Sequence, residues 1–130
     1  MKSKDQRLQA LRARIPEVDP SAARALTNSG ALLLDIREGD ETAQGVAEGA
    51  VALSRGFLEL RIEELAPDPG RCVLVMCGSG LRSLFAAESL KQMGYRDVRS
   101  VAGGFNRWKD MGLPFHVPAQ LGPDDLAAVG

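Results

Sequence analysis

Histidine and cysteine are scarce in this chain: one His and two Cys in 130 residues. They are too few to complete a four-ligand zinc site from His and Cys alone. Cys72 and Cys77 are also too few for a disulfide scaffold, so no metal and no staple is expected. Charge of one sign is missing as well. Sixteen Lys+Arg stand against 17 Asp+Glu, a formal net charge of −1, which excludes a strongly basic nucleic-acid binder. Long apolar runs are absent. The longest, residues 72–77, is far short of a membrane span. The N-terminal stretch MKSKDQRLQALRARIPEV is charged throughout and reads as no secretory signal. No internal repeat or low-complexity tract is present. A cytoplasmic setting with reduced thiols, without membrane or nucleic-acid partners, is the expectation.

What remains is ordinary globular material, 45% hydrophobic and 25% charged. Its length suits one domain with a real core. Leu8, Leu11 and Ile15 fall at helical spacing among charges, predicting a surface helix within residues 1–15 that ends before Pro16. Asp19 followed by Pro20 is a strong helix start, and that helix should run to about Ser29 and stop at Gly30. Residues 31–36 (ALLLDI) and 71–76 (RCVLVM) are almost wholly apolar, which predicts strands buried on both faces. Residues 97–101 form a shorter strand, and residues 51–53 another.

Helical spacing recurs between the strands. It appears at Leu58, Ile62 and Leu65, and at Ala86, Leu90 and Met93 before Gly94. It appears again at Phe105, Trp108 and Met111 before Gly112 and Pro114. Alternating strands and helices predict an α/β fold with a parallel sheet. Residues 117–130 read as a loosely held tail, with a short helix at residues 124–129.

In an open parallel sheet, ligands bind outside the carboxyl ends of the strands. The strand at 71–76 runs directly into Cys77, Gly78, Ser79, Gly80, Leu81, Arg82 and Ser83, and a helix follows. The two glycines allow a tight turn whose N–H groups point inward. Ser83 is a candidate N-cap. Oriented amides, a helix N-terminus and Arg82 would together stabilise an anion. A cysteine at their centre is expected to be a ready thiolate. The bland alternative is a buried, inert Cys on a glycine-rich turn; the unbroken order strand, Cys, Gly, Gly, Arg, Ser, helix favours chemistry.

At these residues the chain resembles the rhodanese family, whose single-domain members carry a Cys-x-x-Gly-x-Arg-Ser loop. Cys77, Gly80, Arg82 and Ser83 fall on those positions. Asp35-Ile36-Arg37-Glu38 is similar to the family's Asp-Val-Arg-Glu. Gly103-Gly104-Phe105, Trp108 and Gly112-Leu113-Pro114 are similar to its C-terminal signature. The resemblance implies a rhodanese-like domain over residues 16–116, with a parallel sheet of about five strands and helices on both faces. One stretch departs from it. Where the family commonly reads Gly-His-Ile-Pro-Gly-Ala, this chain has Gly45-Val46-Ala47-Glu48-Gly49-Ala50.

The resemblance implies a sulfurtransferase that needs no cofactor. Cys77 would take a sulfane sulfur from thiosulfate or another donor, hold it as a persulfide, and pass it to a small thiol, a protein thiol or cyanide. The loop amides from Gly78 to Ser83 would stabilise the terminal sulfur. Arg82 would attract the donor or brace the loop against Asp35 or Glu41, and both readings stay open. Asp35 and Arg37 are either loop support and substrate contact, or a structural ion pair. Related phosphatases and arsenate reductases use a loop one residue longer than the six from Cys77 to Arg82, which disfavours oxyanion chemistry. A non-catalytic interaction module is the other class of function; retention of Cys77 and Arg82 argues against it.

The remaining candidates read as structural. Cys72 lies five positions before Cys77, so in a strand the two face opposite ways, with Cα atoms roughly 16 Å apart against a disulfide reach of ~7 Å. Arg55 and Arg61 flank Phe57 and could rim a pocket, although exposed helix-start charges are the simpler reading. His116 is expected at the surface and Trp108 in the core.

Overall fold

The computed structural model describes residues 1–118 of the chain. Two strands sit at its centre, β2 (Leu32–Asp35) and β5 (Val73–Met76), each with four consecutive buried residues. A run without polar alternation is what a strand covered on both faces requires. The other strands of this sheet are β1 (Glu17–Val18), β4 (Ala50–Ala52) and β6 (Val98–Val101), and the order is β1-β6-β5-β2-β4, every pairing parallel. The expected five-stranded parallel sheet is therefore present.

Alternate residues of the central strands feed two cores. Leu32, Leu34, Val73, Val75 and Cys77 face one side, where they meet Leu8 and Leu11 of α1 (Lys4–Arg14), Leu58 and Ile62 of α4 (Leu58–Leu65), and Leu84 and Leu90 of α5 (Arg82–Met93). Leu33, Leu74 and Met76 face the other side, against Ala23 of α2 (Pro20–Asn28) and Phe105 and Trp108 of α6 (Gly104–Asp110). The helix periodicities are thus core faces, except at their last members: Met93 and Met111 are about two-fifths exposed. Both lie in or just past the final turn, where the helix leaves the sheet.

Local signals account for the helix ends. Asp19 caps α2 by accepting the Ala22 N–H at 2.8 Å. Ser3 and Gln6 form a capping box at the start of α1. α1 packs on the domain, with Leu8, Leu11 and Ile15 buried in the same core as the sheet.

Three short strands escape the sequence patterns. One is β1, and the others are β3 (Val46–Ala47) and β7 (Phe115–His116), which form a separate antiparallel pair. The departing stretch from Gly45 to Ala50 thus includes a strand that pairs with the segment after the Gly-Leu-Pro signature. His116 lies on that pair and is exposed. The helix expected at residues 124–129 lies outside the described residues.

Candidate active site

Strand register builds the site. Asp35 is level with Met76, and the Ile36 N–H donates to the Met76 carbonyl at 2.9 Å. The segments that leave β2 and β5 therefore emerge side by side at the carboxyl edge of the sheet. One carries Arg37 to α3 (Gly39–Thr42), and the other is the loop from Cys77 to Arg82.

The cysteine is buried at the base of its loop. The amide N–H groups of Gly80 and Ser83 donate to its Sγ at 3.1 and 3.4 Å. The Ser83 hydroxyl lies 3.4 Å from the same sulfur and 2.7 Å from the Ser100 hydroxyl on β6. This corrects the expectation for Ser83. The N-cap of α5 is Leu81, and the Ser83 side chain is turned inward to the sulfur instead of capping the helix. No side chain caps this end. Leu81 does not line the cleft and is partly exposed.

Two glycines let the loop pack this way. Gly80 has φ +93°, and a Cβ there would sit 2.9 Å from the Gly103 nitrogen. Gly104, the first residue of α6, has φ +57°, and a Cβ there would drive into the carbonyl oxygens of Cys77 and Gly78. These carbonyls instead accept the N–H groups of Phe105 at 2.8 Å and Asn106 at 3.1 Å. The start of α6 thereby holds the back of the Cys77 loop in place, and only glycine leaves room for it.

Charged side chains lock the rest. Asp35 is fully buried and Arg37 nearly so. The Arg37 guanidinium donates to both Asp35 oxygens, Nε at 3.0 Å and Nη2 at 2.8 Å, and Nη2 also donates to the Gly45 carbonyl at 2.7 Å. Its planar face lies 4.2 Å from the Phe105 ring centre. Neither side chain leaves a buried polar atom without a partner, so the two form a structural ion pair, and its Arg37 half also lines the cleft.

Arg82 reaches Glu41 on α3 through two bonds of 2.8 and 2.9 Å. Of the two carboxylates left open as its brace, the structure selects Glu41; Asp35 is occupied by Arg37. The Arg82 guanidinium holds the Glu41 carboxyl down at about 2, and the Glu38 N–H, donated to the same side chain, assists. Glu41 thus ties α3 to the first residue of α5.

Above the loop opens a cleft of about 370 Å³. Gly78, Ser79 and Arg82 form its floor, with Arg37, Asp40, Glu41 and Gln44 on the α3 side. Phe105, Asn106 and Lys109 form the α6 wall. Of the expected site residues, Asp35 sits behind this wall rather than in it, and Cys77, Gly80 and Ser83 lie beneath the floor. The sequence reading missed Asp40, Gln44, Asn106 and Lys109, and treated Phe105 as core alone. A signal was available, since Gly-Gly-Phe follows β6 at the same sheet edge.

Arg55, just before α4, and Arg61 on it do not line the cleft; they pair with Glu59 and Glu64 of α4. Cys72 packs against the core on the face opposite Cys77, as its odd separation predicts. Burial, and then Asp97, push its thiol above the ordinary range.

A family model for the rhodanese-like domain matches residues 19–111. A sulfurtransferase of Allochromatium vinosum is 35% identical over 106 residues, covering 80% of this chain and 97% of that protein. Thiosulfate sulfurtransferase 18 of Arabidopsis thaliana is 34% identical over 116 residues, covering 78% of this chain and 84% of that one. A solved structure from Rhodopseudomonas palustris, of a protein of unknown function described as a possible tyrosine phosphatase, superimposes with a TM-score of 0.77 at 29% identity. It covers 89% of this chain and 96% of its own. The matched span holds the Cys77 loop, the Asp35–Arg37 pair and the Gly103–Trp108 segment together, and the chain belongs to the rhodanese-like domain family.

Proposed function

We infer that this protein is a rhodanese-type sulfurtransferase in which Cys77 carries the sulfur. The observation that supports this most directly is the position of Sγ. It sits beneath the floor that Gly78 and Ser79 give an open cleft, with two backbone N–H groups directed at it. Such donors favour negative charge on sulfur, and they are fixed in place before any reaction occurs.

The reaction proceeds in two displacements. The Cys77 thiol gives its proton to solvent. The thiolate attacks the outer sulfur of a sulfane donor such as thiosulfate. A bond forms between Sγ and that sulfur, the donor's S–S bond breaks, and sulfite leaves with the electron pair. Cys77 is left as a persulfide. An acceptor thiolate, or cyanide, then attacks the terminal sulfur, and the bonding pair returns to Sγ. Electrons balance without an outside oxidant or reductant. Support for a sulfur donor comes from the names of the two relatives above. The six-residue span from Cys77 to Arg82 argues against the phosphatase reading attached to the Rhodopseudomonas structure, because related phosphatases use one residue more.

Intact-protein mass spectrometry after incubation with thiosulfate tests this reading. Wild type should gain one sulfur and lose it with thiocyanate formation when cyanide is added; Cys77→Ser should do neither. Folded wild type with a free thiol that takes up no sulfur from thiosulfate or from polysulfide would overturn the assignment in favour of a non-catalytic interaction module.

A further inference from the structure

We propose that Lys109 is the subsite cation that holds the anionic end of the sulfur donor and so sets the preferred charge of that donor. The proposal rests on Cys77 being the sulfur acceptor. Displacement at sulfur is in line, so the leaving group lies on the far side of the transferred sulfur from Sγ. With Sγ beneath the floor, the sulfonate end of thiosulfate must project up into the cleft, away from the loop amides that serve the sulfur. Its three oxygens share negative charge, which needs a cation or hydrogen-bond donors there.

Three cations line this cleft, and two are already committed. Arg37 is bound to Asp35 on both oxygens and is buried, and Arg82 is bound to Glu41 on both oxygens. A guanidinium engaged this way offers little net charge to a ligand. Lys109 makes no ion pair among the described residues. Its ammonium lies 5.4 Å from the Phe105 ring centre, which draws it to the cleft wall. The backbone of the same short helix is bonded to the carbonyls of Cys77 and Gly78, so the lysine is carried on the element that is fixed to the reacting cysteine. Asn106, one turn earlier on this wall, adds an amide donor.

The opposite wall carries the counterweight. Asp40 on α3 is likewise in no ion pair among the described residues. The balance between Lys109 and Asp40 therefore fixes the charge that the cleft presents: one cation on the α6 side, one carboxylate on the α3 side. A dianion is held by Lys109 and opposed by Asp40.

Equilibrium binding separates this from the sulfur chemistry. Thiosulfate is titrated into Cys77→Ser protein, which cannot react, by calorimetry or by amide chemical shifts. Adding Lys109→Gln should weaken binding roughly fivefold, the scale of one partly exposed charge contact. Lys109→Arg should restore it, and Asp40→Asn should tighten it about twofold. Arg61→Gln, a charge change outside the cleft, should have no effect. Lys109→Gln binding as tightly as its parent, or a parent that does not bind thiosulfate, would sink the proposal. The two readings fail apart. Sulfur uptake by wild type with no Lys109 effect removes the subsite alone. Lys109-dependent binding without sulfur uptake removes the sulfurtransferase and leaves an anion site.

Discussion

Arg82 closes onto Glu41 across 41 positions of sequence, with its two terminal nitrogens 2.8 and 2.9 Å from the two carboxylate oxygens. Arg82 opens the helix behind the Cys77 loop, and Glu41 sits on the segment that leaves β2. The pair bridges the two strand ends that frame the cleft. It is half in solvent, so its direct contribution to stability is small. Its effect is geometric: it fixes the far end of the loop whose near end is held by the start of α6.

Glu41 offers a direct readout of that contact. Arg82 lowers its carboxyl to about 2 from the usual 4.5. A depressed carboxylate pKa stabilises the folded state above the unfolded value, and that stabilisation is lost as pH falls from about 4.5 through about 2. Carboxyl-carbon NMR of Glu41 should show a midpoint near 2, and Arg82→Gln should move it back toward 4.5. An ordinary midpoint in wild type would mean that the bridge does not form in solution. Above pH 5 the bridge stays ionised, so any pH dependence of sulfur transfer there arises elsewhere.

The buried pair behind the cleft should be far more sensitive. Asp35→Ala leaves the Arg37 guanidinium buried without its carboxylate. Breaking such a pair from one side costs about 3–5 kcal/mol. Urea unfolding should show that loss. A change below about 1 kcal/mol would mean that Arg37 swings out to solvent when its partner is removed.

Gly104 should tolerate no side chain. Its φ is +57°, and a Cβ would meet the carbonyl oxygens of Cys77 and Gly78. Gly104→Ala should destabilise the fold by about 2 kcal/mol or more, from backbone strain and overpacking together. Because α6 would be pushed off the loop, sulfur uptake should fall further than the folded fraction does. Uptake that tracks the folded fraction would show that α6 does not position the loop.

Much of this was legible in the sequence, for physical reasons. Residues 31–36 and 71–76 lack polar alternation because both sheet faces are covered, so their burial could be read directly. The cysteine loop was legible because its parts are consecutive. What required three dimensions was the identity of partners. Asp35 and Glu41 were equally available to Arg82 until the register of β2 against β5 placed them. Ser83 looks like a cap, yet Ser100 on β6 and the Cys77 sulfur draw its hydroxyl inward. The strands β1, β3 and β7 are two residues long, too short for any periodicity to register. The α6 wall was hidden because Phe105 and Trp108 mark that helix as core, while Asn106 and Lys109 between and beyond them face the cleft.

Cys72 is the more accessible of the two thiols, yet nothing in its surroundings suits it to chemistry. Burial and Asp97 raise its pKa, so less of it is thiolate at neutral pH than in a free cysteine. It packs against the core face opposite to that of Cys77, with β5 between them. It can neither resolve a Cys77 persulfide into a disulfide nor relay the sulfur without the strand coming apart. Cys72→Ala should therefore retain sulfur uptake within about twofold of wild type, and oxidation of wild type should give no internal disulfide in the folded state. Mass spectrometry of both proteins, loaded with thiosulfate and then oxidised, reads the two outcomes together. A Cys72–Cys77 disulfide formed without unfolding would require β5 to open, and the Cys77 loop could no longer be a fixed cradle.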